Sequence, residues 1–321
     1  MNDWPSDWSP RIAVTGASGF VGSHLVQRLQ RDGLGVVALS RRPLLDVESV
    51  MVRDYLDTAE LREAFTGVSA VVHLAARAHQ NDGDDATHAY HEANVQSTLS
   101  VTHACVAAGV RRLVFVSSIG VNGNHSAHGP FTEADVPQPV EPYAKSKLEA
   151  ERALAARLAH GATDFVIIRP PLVYGPGCPG NFRQLLRLAT RAPIVPLGAV
   201  TAPRRFVYVG NLVDALRVAA WHPAASRRTF LVADGRDVSV AEVVRTAAAA
   251  IGRSPARIWN VPPQLLALAA RLAGRSGAFN KLAAALQIDA AAFSAATGWT
   301  PPFDPSEGLV VTARSDFQVV G

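Results

Sequence analysis

Short, almost continuously apolar segments alternate with helix-like segments through the first half of this 321-residue chain. Val, Ile and Leu fill these segments without a polar residue at every second position, which is typical of parallel strands covered on both faces. The alternation predicts βαβ units and therefore a doubly wound α/β fold on a parallel sheet. The predicted strands are 11–15, 35–40, 70–75, 112–118 and 164–170, and the predicted helices are 20–32, 58–66, 84–109 and 143–159.

A glycine series, VTGASGFVGSHL (14–25), joins the first predicted strand to the first predicted helix. Gly16 permits a tight turn, Gly19 lets backbone amides approach a pyrophosphate, and Gly22 allows the helix to pack closely on the strand. The N-terminus of the helix then faces the anion. A simple turn does not need three glycines in this register, so the segment predicts dinucleotide binding by a Rossmann domain.

Pro and Gly become frequent after residue 170, in RPPLVYGPGCPGN (169–181), which indicates a change of domain. Beyond it the sequence predicts a helix over 181–191, a strand and a helix over 204–216, and a strand over 228–234. The predicted dinucleotide-binding domain is 1–170, with 206–234 returning to it, and the predicted smaller C-terminal substrate-binding lobe is 171–203 and 235–321.

The end of the second strand bears on the choice of cofactor. An acidic residue there would bind a ribose 2′-hydroxyl, but this chain has Ser40, Arg41 and Arg42. Two guanidiniums can bind a 2′-phosphate bidentately, so the sequence favours NADP(H). NAD(H) stays open, because both arginines are also explained as solvated surface charges.

Composition excludes several classes of function. The formal net charge is +4 and there is no basic stripe with interleaved aromatic residues, so nucleic-acid binding is not expected. Cys105 and Cys178 lie far apart without metal-ligand spacing, which predicts a reduced cytoplasmic protein without a metal site. The first ten residues lack the features of a signal peptide. The apolar stretch 262–274 is too short to span a bilayer, so no membrane insertion is expected and a buried amphipathic helix is predicted.

Tyr143 and Lys147 lie four residues apart in EPYAKSKLEAE (141–151), so they share one face of a helix, whereas Lys145 points away. Pro142 suits the first turn of that helix. Lowering a tyrosine pKa from about 10 towards about 7 takes roughly 4 kcal/mol. The Lys147 ammonium and the positive nicotinamide of an oxidised cofactor are expected to supply it. Tyr143 is therefore predicted to be the proton-transfer group.

A third group should orient the substrate oxygen. Ser117 and Ser118 end the predicted strand 112–118, at the carboxyl edge where doubly wound sheets bind ligands. Because side chains alternate along a strand, only one of the two serines faces the site.

The segments TGASGFVG, VVHLAA, VFVSSIGVNG, PYAKSK and IIRPPLVYGPG together resemble the extended short-chain dehydrogenases/reductases, or NAD-dependent epimerase/dehydratase family, which act mostly on nucleotide sugars. Their order and spacing agree from residue 11 to about 216. The resemblance implies that Ser118 joins Tyr143 and Lys147 in the catalytic set. It also implies a dinucleotide site with further contacts from Ser18, Phe20, Val21, Asp54, Tyr55, His73, Leu74, Ala75, Ala76, Asn94 and Pro170.

The same resemblance implies a nucleotide-sugar site in the second half of the chain. Asn181 stands where the family hydrogen-bonds a nucleotide diphosphate sugar, and Arg204 stands where it places an arginine on the diphosphate. A surface salt bridge is the structural alternative for Arg204. Lys281 is a second candidate phosphate ligand. A homodimer formed through 84–109 and 143–159 is also implied.

Three departures from the family pattern limit this assignment. Val121-Asn122-Gly123 replaces a Val-Tyr-Gly, Leu172 replaces an asparagine that contacts the sugar, and Ile119 follows Ser118 where 4,6-dehydratases have a threonine and an acid. Dehydration is therefore disfavoured.

The segments PFTEADVPQPVEPYAKSKLEAE and LQIDAAAFSAATGWTPPF resemble a bacterial O-antigen subgroup. Its members resemble reductases that convert a UDP-4-keto-6-deoxy-N-acetylhexosamine to UDP-N-acetylquinovosamine, or are described as UDP-glucose 4-epimerases. The arginines after strand two and the apolar Leu172 favour the reductase. A 4-epimerase with retained NAD+ is the alternative. A catalytically silent nucleotide sensor is disfavoured because Tyr143 and Lys147 are both present.

Overall fold

Seven parallel strands form the central sheet of the protein. The computed structural model describes residues 11–78, 86–127, 129–254, 257–274 and 276–317. The strand order is β3-β2-β1-β4-β5-β6-β9, and every neighbouring pair is parallel. Helices cover both faces of the sheet. The prediction of a doubly wound Rossmann fold is confirmed.

The strands are β1 (Arg11–Thr15), β2 (Gly35–Ser40), β3 (Glu48–Met51), β4 (Ala70–His73), β5 (Arg112–Val116), β6 (Asp164–Arg169), β7 (Val173–Tyr174), β8 (Val207–Tyr208) and β9 (Arg228–Leu231). The helices are α1 (Phe20–Arg31), α2 (Thr58–Ala64), α3 (Ala86–Tyr90), α4 (Ser97–Ala107), α5 (Pro142–Leu158), α6 (Gly180–Arg191), α7 (Val209–Trp221), α8 (Val240–Ala250), α9 (Pro263–Leu272), α10 (Ser276–Ala283), α11 (Ala291–Thr297) and α12 (Pro305–Phe317).

The chain reverses its direction of winding between β1 and β4, which are neighbours in the sheet. In open α/β sheets, ligands bind outside the carboxyl ends of the strands at such a switch point. The glycine series lies at the carboxyl end of β1, and residues 74–76 lie at the carboxyl end of β4. The fold therefore brings these two segments to one crevice.

The C-terminal half adds one strand to this sheet and builds a separate pair. β9 extends the central sheet beyond β6, whereas β8 pairs with β7 in a two-stranded parallel sheet. α7 packs on β4, β5 and β6 and against α1. An ion pair between Nη2 of the half-buried Arg28 and Oδ1 of the buried Asp214, at 2.7 Å, joins α1 to α7. The division at residues 170, 206 and 234 stays a prediction.

Four predicted strands were too long at their carboxyl ends, and among them β6 ends at Arg169 and β9 at Leu231. β4 ends at His73, because the amides of Leu74 and Ala75 donate to the Thr15 hydroxyl instead of continuing the ladder. β5 ends at Val116 because Ser118 turns the chain into a short 3-10 turn, Ile119–Val121. These polar turns place backbone groups at the sheet edge.

The predicted helix 84–109 is continuous in the described residues but not uniformly α-helical. A π-helical segment, His91–Gln96, separates α3 from α4. π segments are frequent at functional sites because the extra residue changes where a side chain points. Here the segment carries Asn94, which is buried.

The prediction of a buried helix at 262–274 was wrong. α9 occupies this stretch, and none of its ten residues is fully buried. It packs against α10 at the edge of the C-terminal half. Among the described residues, none of the helices is long and apolar enough to cross a membrane.

Candidate active site

The glycine series forms a cradle that side chains would fill. Gly16 has φ +67°, and a Cβ built there would lie 2.9 Å from the Ala75 nitrogen. A Cβ on Gly22 would lie 2.2 Å from the Gly16 carbonyl oxygen. Gly19 is the N-cap of α1 and places no side chain over the first amides of that helix. The loop therefore fits the pyrophosphate of a dinucleotide, as the positions of its glycines predict.

The Tyr55 hydroxyl connects this loop to β2 by hydrogen bonds. The Gly16 amide donates to the Tyr55 hydroxyl at 2.9 Å, and that hydroxyl donates to the Leu39 carbonyl at 3.0 Å. The Ala17 amide donates to the same Leu39 carbonyl. Tyr55 is thus tied to the loop backbone. The dinucleotide contact implied for Tyr55 stays a prediction. So does the one implied for Asp54, which is exposed and accepts a hydrogen bond from the Leu56 amide.

The end of β2 places Ser40, Arg41 and Arg42 beside this cradle. Ser40 is buried, and its hydroxyl donates to the Arg42 carbonyl, which closes a tight turn. Both arginine side chains are exposed. The turn therefore presents two solvated guanidiniums at the carboxyl edge of the sheet, near the glycine loop.

Two buried threonines and His73 form a hydrogen-bonded chain behind the crevice. Thr15 Oγ1 accepts the Leu74 and Ala75 amides and lies 2.7 Å from His73 Nδ1. Its own proton is therefore directed to Nδ1, which leaves the His73 proton on Nε2. Nε2 lies 3.1 Å from Thr98 Oγ1, and that hydroxyl donates to the Asn94 carbonyl at 2.5 Å. Burial lowers the pKa of His73 to about 3, so the ring stays neutral.

The chain of hydrogen bonds continues from Asn94 to the helix that carries Tyr143. Asn94 Nδ2 donates to Ser146 Oγ at 2.9 Å, and Ser146 donates to the Tyr143 carbonyl at 2.8 Å. Asn94 Oδ1 accepts the Arg77 amide at 2.8 Å. Asn94 therefore connects the segment after β4 to the first turn of α5.

Lys147 is fixed beneath the site. It is buried, its Nζ donates to the Val116 carbonyl at 2.8 Å, and Nζ lies 4.4 Å from the centre of the Phe115 ring. Lys145 is exposed, as its helical position predicted. Burial lowers the pKa of Lys147 to about 7, although Glu151 opposes this shift.

Tyr143 begins α5 and faces Tyr90, with ring centres 6.1 Å apart. Burial and the neighbouring Tyr90 raise the pKa of Tyr143 to about 12. The protein groups around Tyr143 therefore do not produce the predicted lowering. The reason is that burial penalises the charged phenolate.

Ser118 and Ser117 differ in their surroundings. Ser117 is buried, and its hydroxyl is without a hydrogen-bond partner among the described residues. Ser118 is half-buried and accepts the Gly120 amide at 3.1 Å. A Cβ on Gly120 would lie 3.3 Å from Ala144 Cβ and 3.4 Å from Ser118 Oγ. The glycine thus lets the Ser118 turn pack against the first turn of α5, beside Tyr143.

A buried ion pair holds α5 against β6. Arg169 binds Glu151 through Nε to Oε1 at 2.9 Å and Nη2 to Oε2 at 2.6 Å. Its Nη1 donates to Asn122 Oδ1 at 3.0 Å. Asn122 is the residue that replaces the family's tyrosine, and it also donates to the Thr132 carbonyl. The substitution gives the segment after Ser118 a polar anchor.

A cleft of about 370 Å³ lies between the glycine loop and the Pro-Gly segment after β7. Its lining residues are Ser18, Gly19, Phe20, Ser23, His24, Pro176, Gly177 and Pro179. His24 Nε2 lies 3.0 Å from the Pro176 carbonyl oxygen and connects the two walls. Pro170 is buried, and its carbonyl accepts the Ile119 amide.

The predicted substrate residues lie in three different elements. Asn181 is exposed in the first turn of α6. Arg204 is half-buried, and its Nη1 donates to the Ala284 carbonyl just after α10. Lys281 is in α10, but its side chain lies outside the described residues. Arg204 therefore lies at the end of α10, whereas Asn181 lies at the start of α6.

Thr15, Thr98 and Ser146 were missed by the sequence analysis. Thr15 offered a signal, because it is polar at the end of an apolar strand. Thr98 and Ser146 gave none, since each is one of many hydroxyl residues in a helix.

Comparison with known proteins identifies the family to which this candidate active site belongs. The sequence profile of the NAD dependent epimerase/dehydratase family matches residues 12–233. The chain belongs to this family. The resemblance to extended short-chain dehydrogenases/reductases is thereby confirmed, and the protein is an enzyme.

Individual relatives of this family member cover almost the whole chain. A UDP-glucose 4-epimerase of Vibrio cholerae is 36% identical over 316 residues, which is 96% of this chain and 95% of the relative. The N-acetyl-alpha-D-glucosaminyl-diphospho-ditrans,octacis-undecaprenol 4-epimerase of Escherichia coli O157:H7 is 28% identical and covers 95% of both chains. The solved structure of MoeE5 in complex with UDP-glucose and NAD has a TM-score of 0.76 at 30% identity, over 95% of this chain and 98% of that one.

Proposed function

We propose that this family member reduces C4 of a UDP-4-keto-6-deoxy-N-acetylhexosamine with NADPH and forms UDP-N-acetylquinovosamine. One observation favours a reductase over an epimerase. The Ser40 turn places two exposed guanidiniums, those of Arg41 and Arg42, at the end of β2. A 2′-phosphate is a suitable ligand for such a pair. A reductase uses one NADPH in each turnover, so its cofactor must exchange with solution.

Tyr143 is the proton donor that this reaction needs. Reduction of a ketone needs a proton donor at the C4 oxygen, and burial raises the pKa of Tyr143 to about 12. The phenol is therefore protonated at physiological pH and ready to donate. The bound nicotinamide supplies the hydride. Lys147, held by the Val116 carbonyl, stabilises the phenolate that remains after the proton has moved.

The substrate class rests on the relatives and on Leu172. The MoeE5 structure contains UDP-glucose, and the Vibrio cholerae relative is a UDP-glucose 4-epimerase. Leu172, which is exposed, stands where the family usually has an asparagine that contacts the sugar. An apolar side chain packs better against the methyl group of a 6-deoxy sugar than against the hydroxyl that an ordinary hexose carries at that position.

A UDP-hexose 4-epimerase is the second candidate, because the Vibrio cholerae relative carries that activity in its name. An epimerase oxidises C4 and returns the hydride to the opposite face, so it retains NAD+ through the cycle. It uses Tyr143 first as a base and then as an acid. Its substrates are UDP-hexoses rather than 4-keto sugars.

The cofactor of the purified enzyme and its substrate requirement separate the two candidates. We expect that the enzyme leaves purification without stoichiometric NAD+ and consumes one NADPH per 4-keto UDP-sugar reduced. Tightly retained NAD+, with interconversion of UDP-glucose and UDP-galactose in the absence of added cofactor, would establish the epimerase instead. Faster turnover with NADH than with NADPH would remove the argument from Arg41 and Arg42.

A further inference from the structure

Helix α9 presents a row of leucines to solvent. Leu265, Leu268 and Leu272 are 57%, 54% and 82% exposed. Their spacing of i, i+3 and i+7 places them on one face of the helix. Single exposed leucines need no explanation, but three on one helical face form an apolar strip of the kind that marks an interaction site.

The opposite face of α9 holds the helix on the protein. Leu266 packs against the main hydrophobic core, and the other half-buried residues of this face are Pro263, Ala267 and Ala270. The helix also packs beside α10. Because one apolar face is fixed inwards, the second apolar face, Leu265–Leu268–Leu272, points outwards.

An exposed tryptophan precedes this helix. Trp259 is 53% exposed, although its backbone is fixed by two hydrogen bonds, from the Trp259 amide to the Val195 carbonyl at 2.9 Å and from the Gly198 amide to the Trp259 carbonyl at 3.0 Å. An indole on an anchored backbone suits the boundary between water and lipid, where Trp is enriched.

The charged residues around α9 in the sequence are all basic. Residues 243–288 carry six basic residues and no acidic one. The whole chain has a net charge of +4, so the remainder carries −2. Arg257 and Arg271, which flank Trp259 and Leu272 in the sequence, are both exposed. The apolar strip therefore lies within a basic segment of the chain.

We propose that α9 docks on an anionic bilayer surface, with Leu265, Leu268 and Leu272 inserted between headgroups and the neighbouring arginines on lipid phosphates. A ten-residue helix is about 15 Å long, which suits a helix that lies in the interface and does not cross it. The charge argues against a second copy as the occupant, because residues 243–288 offer the arginines of a facing copy no acidic partner.

Vesicle flotation with the full chain tests this proposal. The probes are vesicles of phosphatidylcholine alone and vesicles that also contain phosphatidylglycerol. We expect the protein to float only with the anionic vesicles. The variant L265S/L268S/L272S should lose at least about tenfold in the floated fraction. The charge variant R257Q/R271Q should also bind less, and the size of this loss should depend on the salt concentration. The control L188S/V311S removes exposed apolar residues from α6 and α12 and should bind as the wild type does.

Thermal unfolding must show that each variant is folded, and sedimentation velocity gives the oligomeric state. Wild-type protein that stays with the soluble fraction in both vesicle preparations would overturn the proposal. So would undiminished flotation of the triple leucine variant. Dissociation of an oligomer on the triple substitution, without vesicle binding by the wild type, would show that the strip is instead an interface between copies.

Discussion

His73 Nε2 lies 3.1 Å from the Thr98 hydroxyl, which in turn donates to the Asn94 carbonyl. This contact joins the carboxyl end of β4, in the dinucleotide crevice, to the π-helical segment that holds α5. Every hydrogen-bonding proton of the side-chain network from Thr15 to Tyr143 has an assigned acceptor. One orientation of the His73 ring therefore satisfies the whole network.

Thr98→Val should destabilise the protein, because the isosteric change leaves His73 Nε2–H and the Asn94 carbonyl buried without their partner. We expect a loss of about 1–3 kcal/mol in the free energy of unfolding, measured in urea. Thr102→Val is the matched control, since the equally buried Thr102 hydroxyl donates only to the Thr98 carbonyl one turn earlier. A loss no larger for Thr98→Val than for Thr102→Val would contradict the bridging role.

The stability of the protein should depend on His73 in acid. Burial lowers the pKa of His73 to about 3, below its ordinary value, so the unfolded chain binds a proton that the folded protein does not bind between about pH 6.5 and 3. The free energy of unfolding therefore falls as the pH falls through this window, by about 1.4 kcal/mol per pH unit from this group.

The comparison of His73→Gln with wild type isolates that slope, because carboxylate contributions are common to both proteins. We expect a shallower dependence of the unfolding free energy on pH in the variant, from urea titrations at several pH values. The control is His103→Gln, since His103 is exposed. Equal slopes for wild type and His73→Gln would show that His73 is protonated in the folded state.

Tyr143→Phe should abolish most turnover and leave the cofactor site intact. A general acid contributes about 10²–10⁴ in rate, and the phenyl ring keeps the contact with Tyr90. We expect kcat to fall by that factor with a 4-keto UDP-sugar, while the Kd for NADPH stays within about twofold. Lys145→Met, at an exposed position of the same helix, should retain full activity. Turnover by Tyr143→Phe at the wild-type rate would exclude Tyr143 as the proton donor.

Arg41→Ser/Arg42→Ser should change cofactor preference rather than activity in general. A hydrogen bond to a charged group contributes about 1.5–3 kcal/mol, so the affinity for NADPH should fall by roughly 10- to 100-fold while that for NADH changes little. Fluorescence titration measures both. Arg31→Ser, in the last turn of α1, is the control. Parallel losses for the two cofactors would mean that the arginines do not read the 2′-phosphate.

Glu151→Gln should be strongly destabilising, because it leaves the buried Arg169 guanidinium without its charge partner. Removal of one partner from a buried pair costs about 3–5 kcal/mol. The double variant Glu151→Met/Arg169→Met should lose less than the single variant, since no unpaired charge remains. Urea unfolding of both variants is the measurement, and a single variant within about 1 kcal/mol of wild type would rule out a structural role for the pair.

The sequence by itself determined the features that depend on local spacing. Continuous apolar runs identified six of the seven strands of the parallel sheet, because burial on both faces removes the alternation. The edge strand β3 was missed, since it is short and none of its residues is fully buried. Gly16, Gly19 and Gly22 indicated the cradle, since Gly16 and Gly22 leave no room for a Cβ and Gly19 leaves the first amides of α1 uncovered. The four-residue spacing of Tyr143 and Lys147 separated Lys147 from Lys145, which is exposed as expected.

Only the tertiary structure decided what depends on groups distant in sequence. Thr15, His73, Thr98 and Ser146 come from four separate elements, so no local pattern could show that they form one chain of hydrogen bonds. The pKa of Tyr143 rises because packing desolvates the phenol, and burial is a property of the assembled fold. The same reason governs α9: its periodicity predicted an amphipathic helix, but whether its apolar faces were covered depended on what the rest of the chain packed against them.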